Sequence, residues 1–273
     1  MNEIQTIKAL LAKAGLPAVQ DDPEALINLS DEAFEALDEA LDLAGDVAYA
    51  NPDNEEVIEL IFAAHTTKTH ALLLRAVAAS DDAPPPTPAQ IRTMWSMEDL
   101  QPVPKHVVQQ MAIPSDAAAI FTTFGLPAEA EPECTFYAEP IALTKHEALV
   151  SDEQEYLDNF QSYWVLGENM DGDLICLDES SDGLIVLLHK DFALYSASYV
   201  NSSIGHLLAS LRAYDELMSS IDPRELVDKW PNVVAPEEAR EAFFRTMSEI
   251  DPGTMMAGAF WAEELLALSG DLD

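Results

Sequence analysis

The chain is 273 residues long, 48% hydrophobic and 8% aromatic, and sets 50 Asp and Glu against 13 Lys and Arg, a formal charge of −37. That apolar content excludes a disordered acidic chain, because it can build the core of one large domain or two modest ones. The charge excludes direct binding to nucleic acid or an anionic membrane and favours a basic partner, whose encounters it speeds. Cys134 and Cys176 are too few for a disulfide framework and lack metal-ligand spacing, which points to two buried thiols in a reducing compartment. The stretch from Met1 to Leu11 carries Glu3 and has neither a basic leader nor a cleavage site. No run approaches the roughly 18 uninterrupted apolar residues of a membrane span, so the expected location is the cytoplasm.

In chain order, Ile4, Ile7, Leu10, Leu11 and Ala14 recur at helical spacing and stop at Gly15 and Pro17. Ser30 can cap a second helix whose Phe34, Leu37, Leu41 and Ala44 share a face, with Gly45 near its end. A third helix is expected from Asn51, with Pro52 in its first position and Val57, Leu60, Ile61, Ala64 and Leu72 as its stripe. The segment from Ser80 to Pro88, SDDAPPPTP, places four prolines among nine residues, which favours an extended linker. This gives an expected helical module over residues 1–80, a Pro-rich linker over 81–89 and a second domain over 90–273.

In that second part a helix from about Ser115 to Phe124 stops at Gly125 and Pro127, and short β-type runs follow. They are Thr135–Glu139, Ser162–Gly167, Asp173–Asp178, Leu184–His189 and Leu194–Val200. Asp171-Gly172 and Asp182-Gly183 are hairpin signals, so the strands should form an antiparallel meander with one face packed on helices. Ser202 or Ser203 can cap a helix carrying Ile204, Leu207, Leu208, Leu211 and Leu217, and two more helices follow Pro236 and Thr254. The expected fold class is α+β, with one mainly antiparallel sheet flanked by helices.

The sequence holds no GxSxG, HExxH, GxxxxGK[ST] or GxGxxG, and its six histidines include no pair four apart; His65 and His70 are five apart. Asp178, Ser180, Asp182 and Gly183 match the first half of a calcium loop, but His189 stands where a bidentate Glu is required, and a hairpin turn fits better. Adjacent carboxylates such as Glu263 and Glu264 are uninformative, since acid–base work needs one of them desolvated. We therefore expect a binding protein and no enzyme, with no catalytic residue, metal or cofactor. Tyr163, Trp164, Trp95, Trp230 and Trp261 suit the core better than a partner anchor. The acidic residues Glu168, Asp171, Asp173, Asp178, Glu179 and Asp182 gather at the hairpin ends of one sheet and are the candidate partner-binding residues.

Three segments carry a family resemblance: FTTFGLP at Phe121–Pro127, YWVLGENMDGDLICLD at Tyr163–Asp178 and YVNSSIGHLLASLRAY at Tyr199–Tyr214. With the late Phe260-Trp261 pair they resemble the SUKH superfamily (SMI1/Knr4-like), specifically its SUKH-4 immunity-protein branch, over roughly residues 90 to 270. The resemblance implies an α+β domain that binds a cognate toxin, commonly a nuclease or nucleic-acid deaminase of a polymorphic toxin system, and blocks it inside the producing cell. It implies architectural roles for Gly125, Gly167, Gly172, Asp173, Asn201 and Ser202. The first 80 residues fall outside it. The alternative is a Knr4-like regulatory or scaffold protein in which the helical module and the acidic domain recruit different partners.

Overall fold

The structure, a computed structural model, describes residues 3–20, 22–149, 158–190, 194, 196–222 and 233–270. Trp230 lies outside them.

Four helices open the chain: α1 (Glu3–Lys13), α2 (Pro23–Ile27), α3 (Asp31–Ala50) and α4 (Glu55–Ser80). Ser30 caps α3 as its spacing suggests, its Oγ accepting from Ala33 N at 3.2 Å. Gly45 sits inside that helix, which runs on to Ala50, and the third helix starts later than expected. Asn51 and Pro52 belong to the turn, while Asn54 is the N-cap of α4, with Oδ1 accepting from Val57 N at 3.4 Å. Alanines let the helices approach closely: Ala33, Ala36, Ala40 and Ala44 on α3 meet Ala64 and Ala71 on α4 in one core with Ile7, Leu11 and Leu37. Arg75 of α4 ties these helices together, donating to Ile27 O and Leu29 O at the end of α2 and lying 4.5 Å over the Phe34 ring.

Beyond the proline segment come α5 (Pro88–Met94), α6 (Lys105–Val108) and α7 (Ser115–Thr123). The sheet follows as β1 (Glu129–Ala130), β2 (Cys134–Ala142), β3 (Tyr163–Glu168), β4 (Leu174–Asp178), β5 (Leu184–Leu188) and β6 (Ala197–Asn201). Each strand pairs antiparallel with the next, so the meander expected from the hairpin signals is present with spatial order equal to chain order. Among the described residues the fold closes with α8 (Ile204–Met218), α9 (Glu237–Ile250) and α10 (Phe260–Ala267).

Both faces of the central strands are covered, where one was expected. β4 and β5 read LICLD and LIVLL and are buried at every position, the pattern of a strand between two apolar layers. Alternation sends Trp164, Leu166, Ile175, Leu177, Ile185 and Leu187 to the core shared with α5–α10. Val165, Leu174, Cys176, Val186, Leu188 and Tyr199 point the other way, into a second core with Leu73, Ala76 and Val77 of α4 and Leu143, Leu149 and Phe160 between β2 and β3. α4 thus contributes Val57, Ala64 and Ala71 to the helical core and its last two turns to the sheet. A helix serving two partners carries no single apolar stripe.

A buried carboxylate ties these parts together. Asp251, between α9 and a 3-10 turn (Pro252–Met255), is 0% exposed. It accepts from Ser80 Oγ at the end of α4, Tyr199 Oη (2.7 Å) and Asn201 Nδ2 (3.2 Å) of β6, and Ser202 N (2.8 Å) and Oγ (3.2 Å). Neighbouring bonds extend the web: Trp261 Nε1 donates to Asn201 Oδ1 (3.0 Å), Asn201 Nδ2 to Ser210 Oγ (2.9 Å) and Gly253 N to Ser80 Oγ (2.8 Å). No Lys or Arg pairs with Asp251 among the described residues, so neutral donors alone hold the charge. His206 adds a second tie: its Nε2 donates to Pro84 O at 3.1 Å while Nδ1 accepts from Ser202 or Ser203, a tautomer assigned from these partners. Burial lowers the pKa of His206, outweighing the opposing charge of Asp251, and the ring is neutral.

Replacing Asp251 with Asn turns an acceptor into an N–H₂ donor facing other donors. The urea midpoint should fall with unchanged slope, corresponding to a loss of about 2–4 kcal/mol. An unchanged midpoint would show that the web carries no stability.

Candidate functional site

The six carboxylates singled out in the sequence divide between opposite ends of β4, roughly 13 Å apart at strand rise. Glu168, Asp171 and Asp173 stand at the β3–β4 end, and Asp178, Glu179 and Asp182 at the β4–β5 end. Three of the six are engaged within the protein. Asp178 accepts from Ser180 N, Ser180 Oγ and Ser181 Oγ at 2.7–2.9 Å, shaping its own hairpin. Glu179 accepts from Ala112 N (2.7 Å) and Trp164 Nε1 (3.0 Å). Asp173 accepts from Lys190 N through Oδ1 and from His189 Nδ1 through Oδ2, both at 2.9 Å. Asp171 and Asp182 are exposed and Glu168 is half-buried.

The residues implied by the family resemblance sit at structural joints. Gly125 has φ +71°, and a Cβ there would lie 1.6 Å from Gln101 O, so only glycine fits. Gly167 packs against the Thr135 backbone beside a register shift, and Gly172 turns the β3–β4 hairpin at φ +76°. Asn201 and Ser202 enter the Asp251 web, and Ser203 is the α8 cap, accepting from His206 N at 3.2 Å. The three described tryptophans each direct the indole N–H to an internal acceptor: Trp95 to Leu208 O, Trp164 to Glu179 and Trp261 to Asn201.

At the β3–β4 end Glu264 of α10 lies within electrostatic reach of Asp171 and of Glu131 and Glu133 in the β1–β2 turn. The Glu264 pKa is raised to about 7 by burial first, and by Asp171, Glu131 and Glu133, against a lowering hydrogen bond from Tyr214 Oη at 3.4 Å. The desolvated carboxylate that an acidic pair needs for acid–base work is therefore present. Its partner in the sequence, Glu263, is exposed, and the doublet alone carries no sign of that difference.

On the α4 side of the same end, a cavity of about 300 Å³ is lined by His65, Lys68, Thr69, Asp173, His189 and Ser198, among others. Ser198 Oγ lies 2.9 Å from His189 Nε2, and His189 Nδ1 lies 2.9 Å from Asp173 Oδ2. That is the connectivity of nucleophile, base and orienting carboxylate. Acyl transfer also needs N–H donors at the developing oxyanion. The neighbouring N–H groups are engaged: Lys190 N with Asp173 Oδ1, Asp173 N with Asn169 Oδ1 and His189 N with Ser196 O. The relay instead ties the ends of β4, β5 and β6. Burial, with His189 and Lys68 nearby, lowers the His65 pKa to about 4, so that ring is neutral under physiological conditions.

At the β4–β5 end a larger cleft of about 620 Å³ opens between α4, the proline segment, α7, the hairpin turn and the start of α8. Asp81, Asp116, Asp178 and Asp182 line it together with Leu73, Val77, Ile120 and Val186. No Lys or Arg is among its described lining residues. Sequence reading missed this cleft because its walls come from segments about 100 residues apart.

Among the described residues Lys8 pairs with Glu56, Lys68 with Asp38, and Arg212 with Asp215 and Glu216, all partly exposed. No group of three or more His, Cys, Asp or Glu among the described residues could hold a metal, and no described helix is long and apolar enough to cross a membrane.

A family model for the SUKH-4 immunity protein matches residues 86–267, and the chain belongs to that family. Membership gives it a toxin-immunity role in a family that is generally non-enzymatic. No curated protein and no solved structure matches the chain.

Glu264 binds its proton more tightly in the folded protein than a free Glu does, because its folded pKa stands near 7 against 4.5. Stability is therefore highest below the free value and falls as pH rises through about 7, by an amount of order 2–3 kcal/mol. Glu264→Gln should flatten that decline and raise Tm at alkaline pH. Parallel wild-type and variant melting curves across the range would contradict it.

Asp173 has the opposite sign. Burial pushes its carboxyl up, but the His189 and Lys190 hydrogen bonds and their charges prevail and hold its pKa below the ordinary value of 3.8. Its contribution is present above that value and lost on acidification below it. Asp173→Asn should cost about 1–3 kcal/mol at neutral pH and nothing in strong acid, as read by denaturant midpoints.

Proposed function

We propose that the protein captures a cognate basic toxin in the cytoplasm, without catalysis of its own, and covers that toxin's active-site cleft. The toxin class that fits is a nuclease or nucleic-acid deaminase of a polymorphic toxin system, since enzymes acting on a polyanion present basic grooves. The observation that carries this reading is the raised pKa of half-buried Glu264, which burial and the charges of Asp171, Glu131 and Glu133 push up to about 7. Like charges held together this way are relieved by an incoming Lys or Arg, so binding gains where isolated folding loses.

Of the six sequence candidates, Glu168, Asp171 and Asp182 are assigned contact with the toxin. Asp173, Asp178 and Glu179 are assigned the task of fixing the hairpins that present them. Glu131, Glu133 and Glu264 join the contact set. In this reading residues 1–80 form a helical module, 81–89 a connecting segment and 90–273 the SUKH domain.

The Knr4-like scaffold reading keeps one specific support. The helical module lies outside the matched residues 86–267 and presents Tyr49, 93% exposed, and Ile58, 48% exposed, near the α3–α4 turn. Those side chains suit a second protein contact.

The test uses the toxin encoded beside this gene. A stoichiometric complex should abolish toxin activity and weaken about a hundredfold or more between about 0.05 M and about 0.5 M salt. Reversing two charges, Glu131→Lys with Asp171→Lys, should slow association about tenfold or more while leaving dissociation less affected. No complex at low salt refutes the immunity reading; a complex indifferent to salt refutes its electrostatic basis.

A further inference from the structure

We propose that the cleft at the β4–β5 end is a socket for a basic side chain, arginine or lysine, projecting from the toxin. The inference rests on the immunity reading and gives that capture an anchor point separate from the acidic patch at the other end of the sheet.

The cleft's volume of about 620 Å³ is that of a site able to enclose a small ligand or an anchoring side chain. Its floor is aliphatic, with Leu73 and Val77 from α4, Ile120 from α7 and Val186 from β5. Such a surface suits the methylene stem of a long cationic side chain. Its mouth is acidic: Asp81, Asp116 and Asp182 are exposed there, each from a different segment of the chain. Asp178 adds charge from below, although its oxygens are already engaged by Ser180 and Ser181. The described lining includes no Lys or Arg to compete for these carboxylates. Its histidines, His70 and His206, both have pKa values lowered by burial and stay neutral at pH 7.

The start of α8 also faces the cleft, and a helix N-terminus favours anions. Here His206 N is engaged by the cap residue Ser203 Oγ, and Asp251 is bound behind it at Ser202 N, while three exposed carboxylates stand at the mouth. The balance at the mouth is cationic recognition. Arginine suits it best, because a guanidinium has N–H donors enough for several carboxylates at once.

The probes are Nα-acetylated arginine amide and its uncharged isostere, Nα-acetylated citrulline amide, added to the full chain with methyl groups labelled for NMR. Arginine amide should shift the methyl signals of Leu73, Val77, Ile120 and Val186 saturably, and citrulline amide should not. Asp116→Asn with Asp182→Asn should weaken the arginine response about tenfold or more. Both positions are exposed, and Asn tolerates the left-handed φ of +55° at Asp182. Equal response to both amides, shifts confined to other residues, or a response to inorganic phosphate alone would overturn the socket.

With the toxin itself, the same double variant should bind more weakly than wild type, while Asp42→Asn with Asp46→Asn on α3 should bind as wild type does. If the toxin binds wild type and both variants equally, the cleft is not the anchor and the immunity reading stands. If the toxin does not bind wild type, the immunity reading fails, and the amide titration still decides the chemistry of the cleft.

Discussion

Strands β4 and β5 carry aliphatic side chains on both faces, and a strand of that kind must be covered twice. Most of the architecture follows from that requirement. One cover comes from α5–α10, which share a core with Ile175, Leu177, Ile185 and Leu187. The other comes from the end of α4, which packs beside β6, together with Leu143, Leu149 and Phe160 between β2 and β3. Once α4 is in place its last residue, Ser80, is brought to Asp251, and the buried web there joins a helix end, a strand and a turn from distant parts of the chain. Packing sets the approach, and directional hydrogen bonds fix its register.

The surface obeys a different constraint. With 50 acidic and 13 basic residues the protein cannot neutralise itself, whatever its fold. What the fold can do is choose where the repulsion concentrates. At the β3–β4 end it converges on Glu264, whose raised pKa records both burial and the carboxylates around it. At the β4–β5 end it converges on a cleft with an apolar floor. In both places a neutral surface would lessen the repulsion within the folded chain.

Much of the fold was legible in the sequence. Asp171-Gly172 and Asp182-Gly183 mark hairpins because a tight turn needs residues that tolerate positive φ, and both turns are present. Ser30 and the Ser202-Ser203 pair mark helix starts because a hydroxyl can take an orphan N–H. The second cover of the sheet was not legible: LIVLL is compatible with burial on one side or two, and nothing local says which helix supplies the lid. The start of α4 was misplaced because Asn51-Pro52 and Asn54 offer competing caps, and only the packing of Val57 decides between them. The candidate site was half legible. Composition announces an acidic surface, but Asp173 and Glu179 are engaged by partners at a distance in sequence, Asp178 by the serines of its own turn, and Glu131, Glu133 and Glu264 meet only in space.

The sharing of α4 between two cores also bears on how the chain can be divided. A fragment beginning at residue 86, where the family match begins, would retain every strand and every helix from α5 onward. It would lack Leu73, Ala76 and Val77, and with them the roof over Val186, Leu188 and Tyr199. An aliphatic sheet face uncovered in part invites self-association, so such a fragment would expose apolar surface that the longer chain covers. The opening helices are in that sense an intramolecular chaperone that never leaves.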